Sequence, residues 1–270
     1  MDSILLPGEK LEPFGSGNQV IVSDVHHFST DTILLADFSM PKKGSRCAEF
    51  GTGCGLISLL WCQKSAPEKV WAIDFQEDAC SQARRSAALN HFSEMSVLSL
   101  DLRKISELPA KELPLPLNLD LVACNPPYQP TDAGQHNQIQ GKTSARHETG
   151  CTFREVASAA SRLLRWGGRF CCCLPPRRLA ESFSVLQSVG LEPKKMRLVQ
   201  HRSQNPPFLF LLESRRGGNS GMELLPTLIL ETENGSCSPE MLRIYGDYKS
   251  GCSKDQTASL SSIKQQGGSV

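Results

Sequence analysis

The sequence predicts an α/β fold, a doubly wound and mostly parallel sheet with helices on both faces. Three observations predict it. Short apolar runs of strand length alternate with helix-length segments from residue 44 onward. The runs are predominantly apolar, as strands buried on both faces are. The first of them leads straight into a glycine-rich loop ahead of a helix, Ala48-Glu49-Phe50-Gly51-Thr52-Gly53-Cys54-Gly55.

The elements follow in order. Leu11–Phe14, the turn signal Gly15-Ser16-Gly17-Asn18 and the apolar Val20-Ile21-Val22 read as a hairpin. Ser29-Thr30-Asp31 offers hydroxyl and carboxylate caps to a short apolar helix, Ile33–Phe38, stopped by Pro41. Strands are expected at Cys47–Phe50, Val70–Ile73, Val97–Leu100, Leu119–Cys124 and Phe170–Leu174, with helices at Leu56–Lys64, Glu77–Phe92, Phe153–Trp166 and Arg178–Val189. Lys195–His201 and Phe208–Glu213 complete a seven-stranded sheet, and a further strand-like stretch, Leu225–Glu231, follows them. The expected organisation is an N-terminal hairpin and capping helix over residues 1–43, a sheet domain over 44–246 and a polar tail over 247–270. That tail is rich in Ser, Gln, Lys and Gly, with too little apolar content to bury, and is expected to be disordered.

Composition narrows the function classes. The 270 residues are 39% hydrophobic, enough for a substantial core, and the formal net charge is +1. Charge is unevenly spread: residues 140–216 hold 14 Lys/Arg against 5 Glu and no Asp, a local +9, so the remainder carries −8. Eleven cysteines without one Cys-x-x-Cys spacing argue against a secreted disulfide framework and against a zinc site. The opening Met1-Asp2-Ser3-Ile4 lacks the basic start and apolar run of a signal peptide, and no apolar stretch approaches the ~18 residues of a membrane span. A cytoplasmic protein with reduced thiols, no metal and no membrane contact is expected.

The chemistry-bearing residues fall at consecutive strand ends. Gly51, Gly53 and Gly55 let a ligand approach the backbone and leave amides free at a helix N-terminus, although the spacing is not the Gly-x-Gly-x-x-Gly of dinucleotide sites. Asp74 ends the next strand, 19 residues after Gly55, where a carboxylate can accept from ribose hydroxyls, and Asp101 ends the third. Loop, acid and acid together describe a nucleoside pocket. The fourth strand runs into Asn125-Pro126-Pro127-Tyr128, where two prolines stiffen the backbone so that the Asn125 carboxamide and the Pro126 carbonyl are paired acceptors and Tyr128 offers a ring face. Such a site fits a planar amino group. Asn205-Pro206-Pro207-Phe208 repeats the pattern after polar residues instead of a buried strand, so Asn205 is expected to be structural.

The glycine loop followed by Asn-Pro-Pro-Tyr after the fourth strand resembles the S-adenosylmethionine-dependent methyltransferases that modify planar amino nitrogens, which have the Rossmann-like class I fold. Within that superfamily Phe28-Ser29-Thr30-Asp31-Thr32, Ala145-Arg146-His147-Glu148, Gly217-Gly218 and Ile244-Tyr245-Gly246 look like the bacterial valine-tRNA adenine-N6 methyltransferases. The resemblance spans roughly residues 10–246. It implies that Thr30, Asp31, Glu49, Gly51, Gly53, Gly55, Asp74, Asp101 and Asn125 bind S-adenosylmethionine. It implies further that Asn125, Pro126, Pro127 and Tyr128 act on the N6 amino group of an adenine in a tRNA anticodon loop.

Other readings stay in view: a protein glutamine-N5 methyltransferase acting on release factors, a DNA adenine methyltransferase, or a non-catalytic S-adenosylmethionine-binding module. The first is disfavoured by the short, strand-like stretch before Arg46, the second by the lack of a sizeable inserted recognition domain. His26 and His27 read as surface or packing residues, and Cys171-Cys172-Cys173 as small core filler alternating across a strand. The basic residues Arg154, Arg162, Arg165, Arg177, Arg178, Lys194, Lys195, Arg215 and Arg216 are either phosphate contacts or a solvated face.

Overall fold

The computed structural model describes residues 4–126 and 151–246. It begins with an antiparallel hairpin, β1 (Glu9–Gly15) and β2 (Asn18–Ser23), and helix α1 (Thr30–Phe38). The alternation follows: β3 (Arg46–Phe50), α2 (Leu56–Ser65), β4 (Lys69–Asp74), α3 (Glu77–Leu89), β5 (Met95–Ser99), α4 (Leu102–Glu107), β6 (Leu119–Cys124), α5 (Phe153–Leu163), β7 (Leu164–Leu174) and α6 (Leu179–Ser188). The chain closes with β8 (Leu191–Gln200), β9 (Leu209–Arg216), β10 (Glu223–Leu224), β11 (Leu228–Ile229) and α7 (Pro239–Tyr245).

The main sheet runs β10-β8-β9-β7-β6-β3-β4-β5, with β11 also on β8. Strands β3 to β7 are parallel, and β9 is antiparallel to both β7 and β8. Winding starts at β3 and proceeds through β4 and β5 on one side, then through β6 and β7 on the other. The order therefore reverses between β3 and β6, the place where open α/β sheets leave a crevice.

The sheet has nine strands, two more than the seven expected, and both additions are short strands on β8. The stretch read as a single strand at Leu225–Glu231 contains Pro226, which has no N–H to give a ladder. Within it only Leu228–Ile229 forms a strand, β11, while β10, Glu223–Leu224, lies just before it; each is two residues long and parallel to β8. The helix expected to reach Trp166 ends at Leu163, because β7 pairs from Leu164 onward and the residues up to Arg169 bulge out of the ladder. Gly217, at φ 64°, lies under the exposed Trp166 indole, where any Cβ would come within 2.1 Å of the ring. Any other residue there would have to adopt a left-handed backbone and displace the indole.

Two apolar layers sandwich the sheet. One joins Leu34, Leu35, Leu59 and Trp61 to Cys171 and Cys173; the other joins Phe153, Ala157, Leu163 and Leu186 to Cys172. The three cysteines alternate as strand geometry requires. The hairpin residues Phe14, Val20 and Val22 belong to the first layer, so residues before 44 share the core of the sheet. Polar groups of β2 are satisfied by α3: Ser86 Oγ accepts from the Ile21 amide at 3.0 Å, and Gln82 Nε2 donates to the Ile21 carbonyl at 2.7 Å. With each fully buried aliphatic side chain contributing roughly 1.5–3 kcal/mol, the hairpin is a structural part of the domain.

Candidate active site

The strand register brings the functional residues to one edge. Phe50 pairs with Ile73 and Cys124, Asp74 with Ser99, and Cys124 with Cys172. The carboxyl ends of β3, β4, β5, β6 and β7 are therefore level, and the glycine loop and Asn125 flank the reversal point. Gly51, Gly53 and Gly55 all have positive φ, at 65°, 52° and 87°. Their surroundings differ. A Cβ on Gly51 or Gly53 would meet nothing within 4 Å, whereas one on Gly55 would press on Ala83 Cβ at 3.1 Å and Met95 Cε at 3.2 Å. Gly55 thus serves α2–α3 packing, and the first two glycines leave open space beside bare backbone.

The acids behind the loop hold its shape. Glu49 is buried, and one carboxylate oxygen accepts from Thr52 Oγ1 at 2.8 Å, the Ser58 amide at 2.9 Å and Ser58 Oγ at 2.5 Å. Burial pushes its pKa up to about 7 against the pull of those donors, and the nearby Asp74 charge adds to the rise. Asp74 accepts from the Gly53 amide and from the Gln76 amide, each at 3.0 Å. It ties the glycine loop to the start of α3 while ending its own strand. The Phe75 ring, 49% exposed, stands immediately after it. Sequence reading passed over Phe75, although an exposed aromatic directly after a strand-end acid is a legible signal for a planar ligand.

Asp101 differs from its expected role at a strand end. Strand β5 stops at Ser99, and Asp101 caps α4, accepting from the Arg103 amide and gripping the Arg103 guanidinium at 2.6 Å. That guanidinium holds its carboxyl below the usual range. The acid still reaches the same edge, now as half of an ion pair.

Asn125 is partly buried and Pro126 buried just beyond β6, and Asn125 Oδ1 accepts a hydrogen bond from the Cys173 thiol at 3.1 Å. Pro127, Tyr128 and Ala145–Glu148 lie outside the described residues. On the other side of Asn125, toward β7 and β9, Asp31, Pro175, Arg177, Phe208 and Leu209 line a cavity of about 200 Å³. Thr30 and Asp31 start α1, so Asp31 stands at the β7–β9 side of the edge, while the glycine loop, Asp74 and Asp101 occupy the β3–β5 side.

The basic stretch is largely spent on internal partners. Arg165, Lys195, Arg197 and Arg202 pair with Asp120, Glu223, Glu240 and Glu231. Lys194 donates to the carbonyls of Asn219 and Gly221, Arg162 to those of Ser106 and Leu108, and Arg216 to that of Leu164. Arg154 bonds Ser188, and Arg215 pairs with Glu213. Arg178, read as a candidate phosphate contact, is buried; it pairs with Glu181 at 2.7 Å and lies over the Phe153 ring. Its chemistry is structural. Arg177 is exposed at the rim of the cavity. Of the two histidines, His26 is buried and His27 exposed. The described residues include no His/Cys/Asp/Glu group that could hold a metal ion and no helix long and apolar enough to cross a membrane.

Comparisons with known proteins bear on this edge. A family model described as the methyltransferase small domain matches residues 22–171. Curated tRNA1(Val) (adenine(37)-N6)-methyltransferases are similar over most of their length. The one from Porphyromonas gingivalis is 28% identical over 225 residues, covering 80% of this chain and 85% of its own. That from Aeromonas hydrophila is 25% identical over 221 residues, with 81% and 88% covered. A solved structure of a predicted O-methyltransferase from Agrobacterium tumefaciens shares the fold, with a TM-score of 0.65 at 21% identity over 81% of this chain and 97% of that one. The family match runs from the hairpin into β7 and takes in the glycine loop, Asp74, Asp101 and Asn125, over half of the 270 residues. The chain therefore belongs to the methyltransferase small domain family.

Proposed function

We propose that this protein transfers the methyl group of S-adenosylmethionine to the N6 amino nitrogen of an adenine in tRNA. The observation that carries the reading is the pairing of β3 with β6, which sets an open glycine loop beside an Asn-Pro acceptor pair across the reversal point of the sheet. S-adenosylmethionine supplies an electrophilic methyl on a positively charged sulfur. The edge fits it: open backbone at Gly51 and Gly53, carboxylates at Glu49 and Asp74, and the Phe75 ring face. Glu49 and Asp74 favour a cationic ligand, Asp74 also offers acceptors to a ribose, and Phe75 offers stacking to an adenine.

The transfer needs alignment more than acid–base strength. The Asn125 carboxamide and the Pro126 carbonyl accept the two N6 hydrogens, draw the nitrogen lone pair out of conjugation with the ring and aim it toward the methyl. The nitrogen becomes acidic only as the new bond forms, and solvent takes the proton. The β7–β9 cavity with Asp31, Arg177 and Phe208 then lies on the target side. The names of the similar curated proteins point to the anticodon loop of a valine tRNA.

Incubating the protein with total tRNA and isotopically labelled methyl donor, then digesting to nucleosides for mass spectrometry, should yield labelled N6-methyladenosine. Label in a release-factor glutamine, with none in tRNA, would replace this reading by the glutamine one.

A further inference from the structure

We propose that Cys173 is a positioning residue for Asn125: its thiol donates to the carboxamide oxygen and fixes the direction in which that oxygen accepts from the target amino group. The inference rests on the reading of Asn125 as the amino-group acceptor. Three observations carry it. Cys173 Sγ lies 3.1 Å from Asn125 Oδ1, and the thiol is fully buried, so no water competes for the contact. Cys124 pairs with Cys172, so Asn125 and Cys173 are the next facing positions, one step past the end of β6. Strand β6 ends at Cys124, whereas Cys173 sits inside β7, paired with Leu211 of β9. The thiol ties a residue just past the end of one central strand to the interior of the next.

A carboxamide is nearly symmetrical in shape and can rotate to exchange its oxygen and its NH₂. With the NH₂ turned inward, donor would face donor and the target amino group would be repelled. A thiol hydrogen on the oxygen selects the productive orientation, and a carboxamide oxygen accepts two hydrogens, so the thiol and the substrate share it. Neither Cys171 nor Cys172 is placed to do this: they face Ala123 and Cys124, two positions and one position short of Asn125.

The test compares Cys173→Ser, which keeps a donor, with Cys173→Val and Cys173→Ala, which do not. Turnover on tRNA should fall about 3- to 10-fold in the Val and Ala variants, the range for one lost hydrogen bond. It should be restored to within about twofold by Ser, with the KM for S-adenosylmethionine unchanged in all three. In an Asn125→Ala background Cys173→Val should add no further loss. Equal turnover in the Val and Ser variants overturns the proposal, because packing alone would then account for Cys173. A readout independent of activity is the infrared S–H stretching band that disappears in Cys173→Val; it should move to higher frequency in Asn125→Ala as the hydrogen bond is lost. A band that stays in place also overturns the proposal. A wild-type protein making no N6-methyladenosine refutes the substrate reading, and the band still decides the contact.

Discussion

The chain carries Asn-Pro-Pro twice, at residues 125–127 and 205–207, and the two copies sit in opposite neighbourhoods. Asn125 follows a buried parallel strand at the level edge, half sheltered and braced by a thiol. Asn205 is exposed in the loop between antiparallel β8 and β9, where its amide donates to the Arg202 carbonyl at 3.0 Å and its carbonyl accepts from Gln200. Phe208 closes that loop by stacking on His201, ring centroids 4.3 Å apart. The same residues follow a buried strand at the sheet edge in one setting and make an exposed turn in the other. Strand direction and the neighbouring strand decide which.

Exchanging roles experimentally would break this comparison, and the largest effect should come from Asn125. Asn125→Ala should lower turnover about 10²-fold or more while S-adenosylmethionine still binds, as isothermal titration and single-turnover kinetics would show. Loss of cofactor binding instead would move Asn125 into the cofactor half of the edge. Next comes Asp74→Ala, which removes acceptors for the Gly53 and Gln76 amides. It should weaken S-adenosylmethionine binding by roughly 10- to 100-fold; unchanged affinity would sink the pocket assignment.

The acidic floor of the edge gives a pH signature that the exposed loop lacks. Glu49 has its pKa raised from 4.5 to about 7 on folding, so the folded protein holds the proton more tightly across that window. Its contribution is fully present below pH 4.5, declines by at most about 1.4 kcal/mol per pH unit as the carboxylate ionises, and levels off above about 7. Denaturant unfolding of Glu49→Gln at pH 5, 6 and 7 should show a shallower decline than wild type, and parallel curves would contradict the assignment. The smallest effect is expected at the second motif. Asn205→Ala should change turnover by less than about twofold, since the backbone bonds of the loop survive it. An inactive Asn205→Ala would reverse the comparison outright.

The parts of the molecule legible in its sequence were those written in contiguous residues. Buried strands such as Leu119–Cys124, the glycine loop and the acid at Asp74 each carry their signal locally. What escaped is written across distance. The +9 of residues 140–216 was legible, but Asp120, Glu223, Glu231 and Glu240, which neutralise part of it, lie outside that window. The exception is local: the Asp101–Arg103 pair joins residues two apart at the start of α4, which at six residues is too short for periodicity to reveal. The Cys173–Asn125 contact joins residues 48 apart and exists because β6 and β7 are neighbours.

Pro226 has a further consequence, for how the molecule meets its own kind in a crowded solution. A sheet edge with several consecutive unpaired backbone groups is a template on which a second chain can add a strand and begin aggregation. Beyond β8 the growing edge consists of two-residue strands with Pro226, which cannot donate, in the three-residue gap between them, so a stray chain finds no long uninterrupted run of partners. Pro226→Ala should therefore raise the tendency to self-associate on concentration, measurable by light scattering, without altering the fold.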